Sequence, residues 1–443
     1  MSSECKSKRW EQLSFDEAVE PISDEGKRVD QRDYQPSGAL PVIDQGEDFI
    51  GGYTDDLSKA YAGPLPVVIF GDHTRRVKLV NERFAVGAQG VKMLRPREGW
   101  DSRFFAYLLP TLPIPNRGYS RHYQFVRKLS FPRPDLEEQQ RIVAEIERQF
   151  TRLDAGVASL KSLQAALRRY RASVLKAACG GRLVPTEAKL ARKENRGHET
   201  GEQLLQRILK DRREKWNGKG KYKEPISPNL SDLPQLPDGW GWARLEQLGF
   251  IFGGLTKNPK RAKLKKQLPY LRVANVYANE LRLDDIEYIG VEDSELPKLR
   301  VRIGDLLIVE GNGSKAQIGR LAIWNGAIDP CVHQNHLIKV RPIESRMPNW
   351  ILHWLQSAVG RQFVELVASS TSGLYTLSVN KVGDFPIALP PLAEQQRIVA
   401  EVERRLSVNE ELEMLMSTEL QRAIRLRQSI LKRAFGDSDQ TSD

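Results

Sequence analysis

The sequence predicts an α+β chain in which two mixed α/β domains are separated by two long helices that pair as a coiled coil. Three observations point there: a segment repeated without change, a long apolar stripe at helical spacing running on from each copy, and strand-and-glycine patterning ahead of each copy. At 443 residues the chain exceeds one ordinary core, so several domains are expected.

The repeat has a period of 256 residues: Glu138-Gln139-Gln140-Arg141-Ile142-Val143-Ala144-Glu145 recurs as Glu394-Gln395-Gln396-Arg397-Ile398-Val399-Ala400-Glu401. Farther on, Arg171, Ser173, Leu175 and Lys176 recur as Arg427, Ser429, Leu431 and Lys432 at the same offset. Two matches locked to one offset mark a duplication, and the period is too long for a solenoid. Pro134 and Pro390-Pro391 suit a first helical turn, and Glu137, Glu138 and Glu394 complement the positive end of the dipole. Ile142, Ile146, Phe150, Leu153, Val157, Leu160, Leu163, Leu167, Tyr170 and Val174 follow at spacings of three and four. Ile398, Val402, Leu406, Leu412, Leu415, Leu420, Ile424 and Ile430 form a looser second stripe. Gly180-Gly181 and Gly436 are stops. Each helix is about 40 residues, roughly 60 Å at the 1.5 Å rise, and needs an equally long partner. The other copy is the obvious one; a homodimeric coiled coil is the alternative.

The units before the helices share layout more than sequence. Both open on a Trp-x-x-Leu element, Trp10 to Leu13 and Trp242 to Leu245. Strands Leu65 to Phe70 and Asp305 to Val309 lead into the loops Gly71-Asp72-His73-Thr74-Arg75-Arg76 and Glu310-Gly311-Asn312-Gly313-Ser314-Lys315, with Gln317 just beyond. A second loop precedes a second strand in each: Gly87-Ala88-Gln89-Gly90 before Val91, and His333-Gln334-Asn335-His336 before Leu337. Helices are expected over Asp101 to Leu109 and Asn349 to Val367. Polar tracts follow, carrying Arg117, Tyr119 and Arg121 in one unit and Thr371 and Ser372 in the other. Arg272 and Asn275 join the second set. Arg, Asn and Gln side chains of this kind match guanine and adenine edges, and hydroxyls match phosphates. Surface turns are the alternative for any single loop; recurrence at matching places favours DNA reading.

Net charge is +11. By segment it is +2 over 1–133, +7 over 134–236, +4 over 237–389 and −2 over 390–443. A basic excess favours a polyanionic partner. The segment 182–236, with a short helix over Gln203 to Trp216 and a basic run over Lys215 to Lys223, reads as a linker more readily than as a contact for DNA or protein. No apolar run approaches the length of a membrane span. The polar stretch Met1 to Trp10 lacks a signal-like apolar region, and Cys5, Cys179 and Cys331 form no disulfide or metal spacing, so a cytoplasmic protein is expected.

On the repeated Pro390-Pro391-Leu392-Ala393-Glu394-Gln395-Gln396-Arg397-Ile398-Val399, its twin at Pro134 to Val143, and the tails Ser173 to Gly181 and Ser429 to Gly436, the chain closely resembles the specificity subunits of type I restriction-modification systems. The resemblance implies target-recognition domains at 1–133 and 237–389 that each read half of a bipartite site in double-stranded DNA. It implies conserved spacer helices at 134–181 and 390–436 that pair antiparallel with pseudo-twofold symmetry, a basic linker at 182–236, and a disordered tail at 437–443. It also implies two methyltransferase subunits and two restriction/translocase subunits as partners, which would use S-adenosylmethionine, ATP and Mg2+, with no cofactor bound by this chain. Phe131-Pro132-Arg133-Pro134 departs from the fuller Leu389-Pro390-Pro391 and leaves the first helix start open.

No catalytic or metal site is expected. Gly311 to Lys315 lacks phosphate-loop spacing. Cys331, His333 and His336 lack a fourth ligand, and Glu187 and Lys189 lack a paired upstream acid. The motifs of an amino-methyltransferase are missing. A fused single-chain enzyme and a purely structural coiled-coil organiser are the rival readings.

Overall fold

A proline ahead of each long helix blocks continuation of the chain before it, and a buried glutamine fastens the first turn behind it. In the computed structural model, which describes residues 10–24, 26–87, 90–118, 120–216, 221–231, 233–315, 317–371 and 373–436, the helices run Leu136–Cys179 and Leu392–Gly436. Their starts lie one period apart, so the Phe131-to-Pro134 departure does not move the first. Gln139 is fully buried; its Nε2 donates to the carbonyls of Pro134 and Gly99, and its Oε1 accepts the Asp101 amide at 2.8 Å. Gln395 donates likewise to the Pro390 carbonyl at 2.8 Å. The unchanged repeat therefore encodes a packed joint, in which a buried polar group must find partners, as well as helical propensity.

The chain divides into two compact units, one comprising residues up to Ser162 and from Leu415 onward, the other Leu163–Met414. Each long helix thus contributes one end to each unit. In the first unit the opening of the first helix meets the close of the second: Asp154 pairs with Arg427 at 2.6 Å, and Arg427 lies 4.0 Å over the Phe150 ring. Ile142, Ile146 and Phe150 share a core with Ile430, Phe435, Phe104, Phe105 and Phe131. In the second unit the close of the first helix meets the opening of the second. Arg171 pairs with Glu410 at 3.3 Å, and Val174, Leu175 and Ala178 pack with Ile398, Val402 and Leu406. Both pairings are antiparallel.

Other members of the two apolar stripes, Leu163, Tyr170, Leu412, Leu415 and Ile424, are exposed. Two helices alone bury a narrow seam; the stripe is fully covered only where a domain adds a third layer.

The globular part of each unit has one topology. In the first, an antiparallel sheet has the order Val19–Ile22, Val91–Pro96, Val67–Gly71, Val77–Val80, and a smaller one the order Gly52–Thr54, Leu40–Ile43, Ala85–Val86. In the second, the orders are Gly249–Phe252, Leu337–Pro342, Leu306–Val309, Leu321–Ile323 and Glu287–Gly290, Gln267–Leu271, Val332–His333. Strands at matching places occur in the same sequence order, and the last pair of each smaller sheet is parallel in both units. A short antiparallel pair closes each unit below its helix, Glu11–Leu13 with Phe131–Arg133 and Gly241–Arg244 with Pro386–Leu389.

Three expectations are revised. Glu11 faces Arg133 and Gly241 faces Leu389, which places Trp10 opposite Trp240 in the repeat, two residues from the Trp242 alignment. The helix expected over Asn349 to Val367 is two helices, Pro348–Gln356 and Ala358–Val367, broken at Ser357, whose hydroxyl accepts the Gly360 amide as an N-cap. Segment 182–236 holds two helices, Glu187–Glu194 and Gly201–Glu214, that belong to the second unit's core: Ala188, Ala191, Leu204 and Ile208 are buried. Gly201 has no room for a side chain, since a Cβ would lie 2.0 Å from the Leu389 carbonyl oxygen. The tail 437–443 lies outside the described residues.

Gln139→Ala removes three hydrogen bonds of a buried amide and is expected to destabilise the first unit by about 2–4 kcal/mol. Gln140→Ala, at an exposed position of the same repeated segment, is expected to stay within about 0.5 kcal/mol of wild type. Denaturant unfolding of the two variants checks this contrast.

Candidate nucleic-acid interface

In each unit the loops that follow or precede the central strands meet at one end of the sheets, joined by the same backbone hydrogen bonds. In the first unit the Asp72 amide donates to the Gly90 carbonyl at 2.7 Å, and the Asp72 carbonyl accepts the His122 amide at 2.8 Å. In the second, the Glu310 amide donates to His336 at 2.9 Å, and the Glu310 carbonyl accepts the Leu377 amide at 2.8 Å. The Gly87 amide reaches Ile43 in one unit as the Gln334 amide reaches Leu271 in the other. An acid stands at the same junction in both. Such a frame can hold different loop sequences in a fixed place.

Asp72 is buried and structural: its carboxylate also accepts the Tyr123 amide at 2.8 Å. Arg75 occupies the left-handed region at φ 58°, which turns the hairpin tightly, and its guanidinium donates to the Ile114 carbonyl at 3.2 Å. The His73 amide and the Thr74 hydroxyl both bind Gln45, at 3.1 and 2.8 Å. Thr74, Arg76, Arg117 and Arg121 are exposed; Arg76 pairs with Glu47 at 3.4 Å and Arg117 lies over the Phe125 ring at 5.4 Å. Gln89 and Tyr119 lie outside the described residues.

In the second unit, Ser314, Lys315 and Gln317 are exposed, and Asn312, Gln334 and Asn335 are half-buried. The Asn312 side chain accepts the Ser314 amide at 2.8 Å, an Asx turn. Arg361 holds the loop from behind, donating to the carbonyls of Ile318 at 2.6 Å and Lys315 at 3.3 Å. The strand Ser369–Thr371 joins this loop through Leu374–Thr376, which pairs with Gly311–Asn312; Ser372 lies outside the described residues. Arg272 and Asn275 are held by their own loop instead. Arg272 pairs with Asp285 and Glu287, both at 2.7 Å, and buried Asn275 donates to the carbonyls of Arg282 and Asp285. They shape the loop that follows Gln267–Leu271.

Gln45 and Arg361 were not among the sequence candidates. Gln45 sits in the loop after Leu40–Ile43, the counterpart of the Arg272 loop, and only the strand pairing reveals that equivalence.

The description "Type I restriction modification DNA specificity domain" matches residues 237–413, which span the globular part of the second unit and the opening of the second helix. The EcoKI specificity subunit of Escherichia coli K12 is 25% identical over 69% of this chain and 57% of its own length. The EcoBI specificity subunit of Escherichia coli is 26% identical over 86% of this chain and 73% of its own length. Over residues 237–413 the chain carries a type I restriction-modification DNA specificity domain, and over most of its length it is similar to type I specificity subunits. The chain spans a little over half the length of the EcoKI relative. A solved structure titled as the structural basis of complex assembly and conformational transition of the type I R-M system shares its fold, with a TM-score of 0.55 at 19% identity over 96% of this chain and 97% of that one. No described helix is long and apolar enough to cross a membrane.

Beneath the second loop cluster lie ionisable groups without solvent. His333 is fully buried, hydrogen-bonds to the Leu337 carbonyl at 2.9 Å, and is pushed down to about 3 by desolvation and then by Lys339, which keeps the ring neutral. Among the described residues no group of three or more His, Cys, Asp or Glu side chains could hold a metal ion. Lys339 is buried on the central sheet, donating to the carbonyls of Lys298 and Arg300 at 2.6 and 3.0 Å. Burial, and then Arg341, push it down to about 7. The first unit carries Met93 at the matching position, paired to Ile69 as Lys339 is to Leu307.

Between about pH 7 and the ordinary lysine range the unfolded chain binds the Lys339 proton more firmly than the folded one, so this group makes stability rise with pH across that window. Below pH 7 its cost is constant. Lys339→Met is expected to abolish the rise, which approaches about 1.4 kcal/mol per pH unit for one group. Denaturant unfolding from pH 7 to 9.5, compared between variant and wild type, measures the difference.

Proposed function

We propose that this specificity subunit reads a bipartite site in double-stranded DNA, one half with each loop cluster, and does no chemistry itself. The observation that carries the reading is the shared junction: two sheets of one topology hold different loop sequences at the same end. That arrangement suits two recognition domains of one origin with separate base preferences. Exposed Thr74, Arg76, Arg117 and Arg121 in the first cluster, and Ser314, Lys315 and Gln317 with half-buried Asn312, Gln334 and Asn335 in the second, are the proposed contacts. Arg75 serves at the rim. Asp72, Arg272 and Asn275 hold the loops that carry them. Arg side chains would fork onto guanine edges, amides onto adenine, and lysine and hydroxyl groups onto phosphates.

The remaining partners follow from the family. Two methyltransferase subunits would dock the recognition scaffold for adenine methylation with S-adenosylmethionine, and two restriction/translocase subunits would add ATP- and Mg2+-dependent cleavage in the cytoplasm. The exposed stripe residues Leu163, Tyr170, Leu412, Leu415 and Ile424 offer apolar surface for protein partners. The paired helices would set the gap between half-sites.

Specificity is expected to divide by unit. In cells carrying the whole system, Arg76→Ala or Arg121→Ala alters one half-site only, and Lys315→Ala or Gln334→Ala the other. Loss of a base-reading pair weakens recognition by about 1–3 kcal/mol. Base-resolution mapping of adenine methylation reads the outcome; substitutions that disturb both halves equally would sink the reading.

Seven residues inserted near Leu160, with a matching insertion near Met416, keep the apolar stripe in phase and lengthen each helix by about 10 Å. The half-sites should stay unchanged while the preferred gap grows by about three base pairs at roughly 3.4 Å each. A working variant that keeps the original gap shows that the helices are not the ruler.

A further inference from the structure

Glu138 and Arg141 in the first long helix and Glu394 and Arg397 in the second are the same residues of the repeat, yet their partners differ. In the second unit Glu394 is fully buried, accepting the Trp240 indole N–H at 2.9 Å and the backbone N–H of Glu187 at 2.8 Å. Arg397 pairs with the Glu187 carboxylate at 2.7 Å. Glu187 is the first residue of the helix Glu187–Glu194, whose Ala188 and Ala191 are buried. A short helix with an acid and a free N–H in its first turn, and small residues on its inner face, thus covers the start of the second long helix.

In the first unit the same place is open. Glu138 and Arg141 pair with each other through two 2.7 Å hydrogen bonds. Around them lies a groove of about 800 Å³ lined by Trp10, Glu11, Arg133, Leu136, Glu138 and Arg141. Its floor matches the covered site: Trp10 packs against Phe104 at 6.1 Å as Trp240 packs against Trp350 at 5.6 Å. The decisive contrast is apolar. Leu136 is 48% exposed, whereas its counterpart Leu392 is 6% exposed.

We propose that this groove docks a short helix from another protein chain, with the chemistry of Glu187–Glu194. Its first-turn acid takes Arg141, its free backbone N–H takes Glu138, and small residues cover Leu136 and Trp10. The Glu138–Arg141 pair is a resting arrangement that the incoming helix exchanges, so no charge is left alone in either state. The groove accepts this helix and not a counterpart of Gly201–Glu214: where Gly201 closes on Gly241 and Leu389, the first unit has the Glu11–Arg133 ion pair at 2.6 Å. This chain's own terminal sequences are poor occupants: Met1 to Arg9 offers only Met1 and Cys5 to cover Leu136 and Trp10, and Asp437 to Asp443 has no apolar residue at all.

Nothing in this docking depends on DNA recognition, so it is measured without DNA. A fluorescent synthetic peptide spanning Val184 to His198 is titrated into the full chain and followed by anisotropy. Saturable one-to-one binding is expected, weakened at least tenfold by Arg141→Glu and restored when the peptide carries Glu187→Arg. Arg141 is exposed, so the variant should keep its circular dichroism and melting profile. The proposal is overturned by no saturable binding, by affinity indifferent to Arg141→Glu, or by loss with Arg397→Glu alone, which would put the peptide in the second unit. It is overturned too if binding appears only after residues 1–9 are deleted, since the groove would then belong to the chain's own N-terminal segment.

Discussion

Neither copy of the repeat closes its own core, and most of the architecture follows from that constraint. The aromatic cluster of Phe104, Phe105 and Phe131 is completed by Ile430 and Phe435 from the far end of the second helix. The tryptophan-rich core around Trp350 and Trp354 is completed by Val174, Leu175 and Ala178 from the far end of the first. Antiparallel pairing is therefore a condition for burying each domain's apolar floor. The ion pairs Asp154–Arg427 and Arg171–Glu410 are exposed and contribute little by themselves; burial of the helix ends supplies the free energy.

The helices and their duplication were legible because the repeat is literal: a packed joint at Gln139 and Gln395 tolerates little change, so its residues recur intact. The order of strand and loop in each unit was legible from strand and glycine patterning. The equivalence of the two sheets was not, since it resides in backbone pairing while the side chains on it differ as widely as Met93 and Lys339. The opening tryptophan was misaligned by two residues because Trp240 and Trp242 compete in the sequence and only the strand register chooses between them. The burial of segment 182–236 was hidden by its charge; Leu204 and Ile208 are the two buried members of four apolar residues on a helix otherwise made mostly of charged and polar ones, a stripe too narrow to outweigh composition.

Among the candidate residues, the division between framework and surface is physical. Asp72 and Asn275 spend their polar atoms on backbone groups that no other partner would satisfy, and a buried backbone amide or carbonyl left bare is costly. Thr74, Arg76, Lys315 and Gln317 sit beyond those joints, where exchange of side chains leaves the core untouched. A sequence can identify residue types suited to a base edge, but which of them the fold consumes depends on loops remote in the chain, as Gln45 and Arg361 show.

The interleaving of the helix ends also orders synthesis. The second unit is one continuous stretch, Leu163–Met414, while the first needs residues from Leu415 onward. On the ribosome the earlier-made domain therefore waits, its phenylalanine floor uncovered, for roughly 250 further residues, which at about 5–20 residues per second is tens of seconds. The later-made domain has all its parts sooner. The half of the molecule translated first is the half that finishes last, and in that interval its bare aromatic surface is the nascent chain's point of exposure to chaperones and to aggregation.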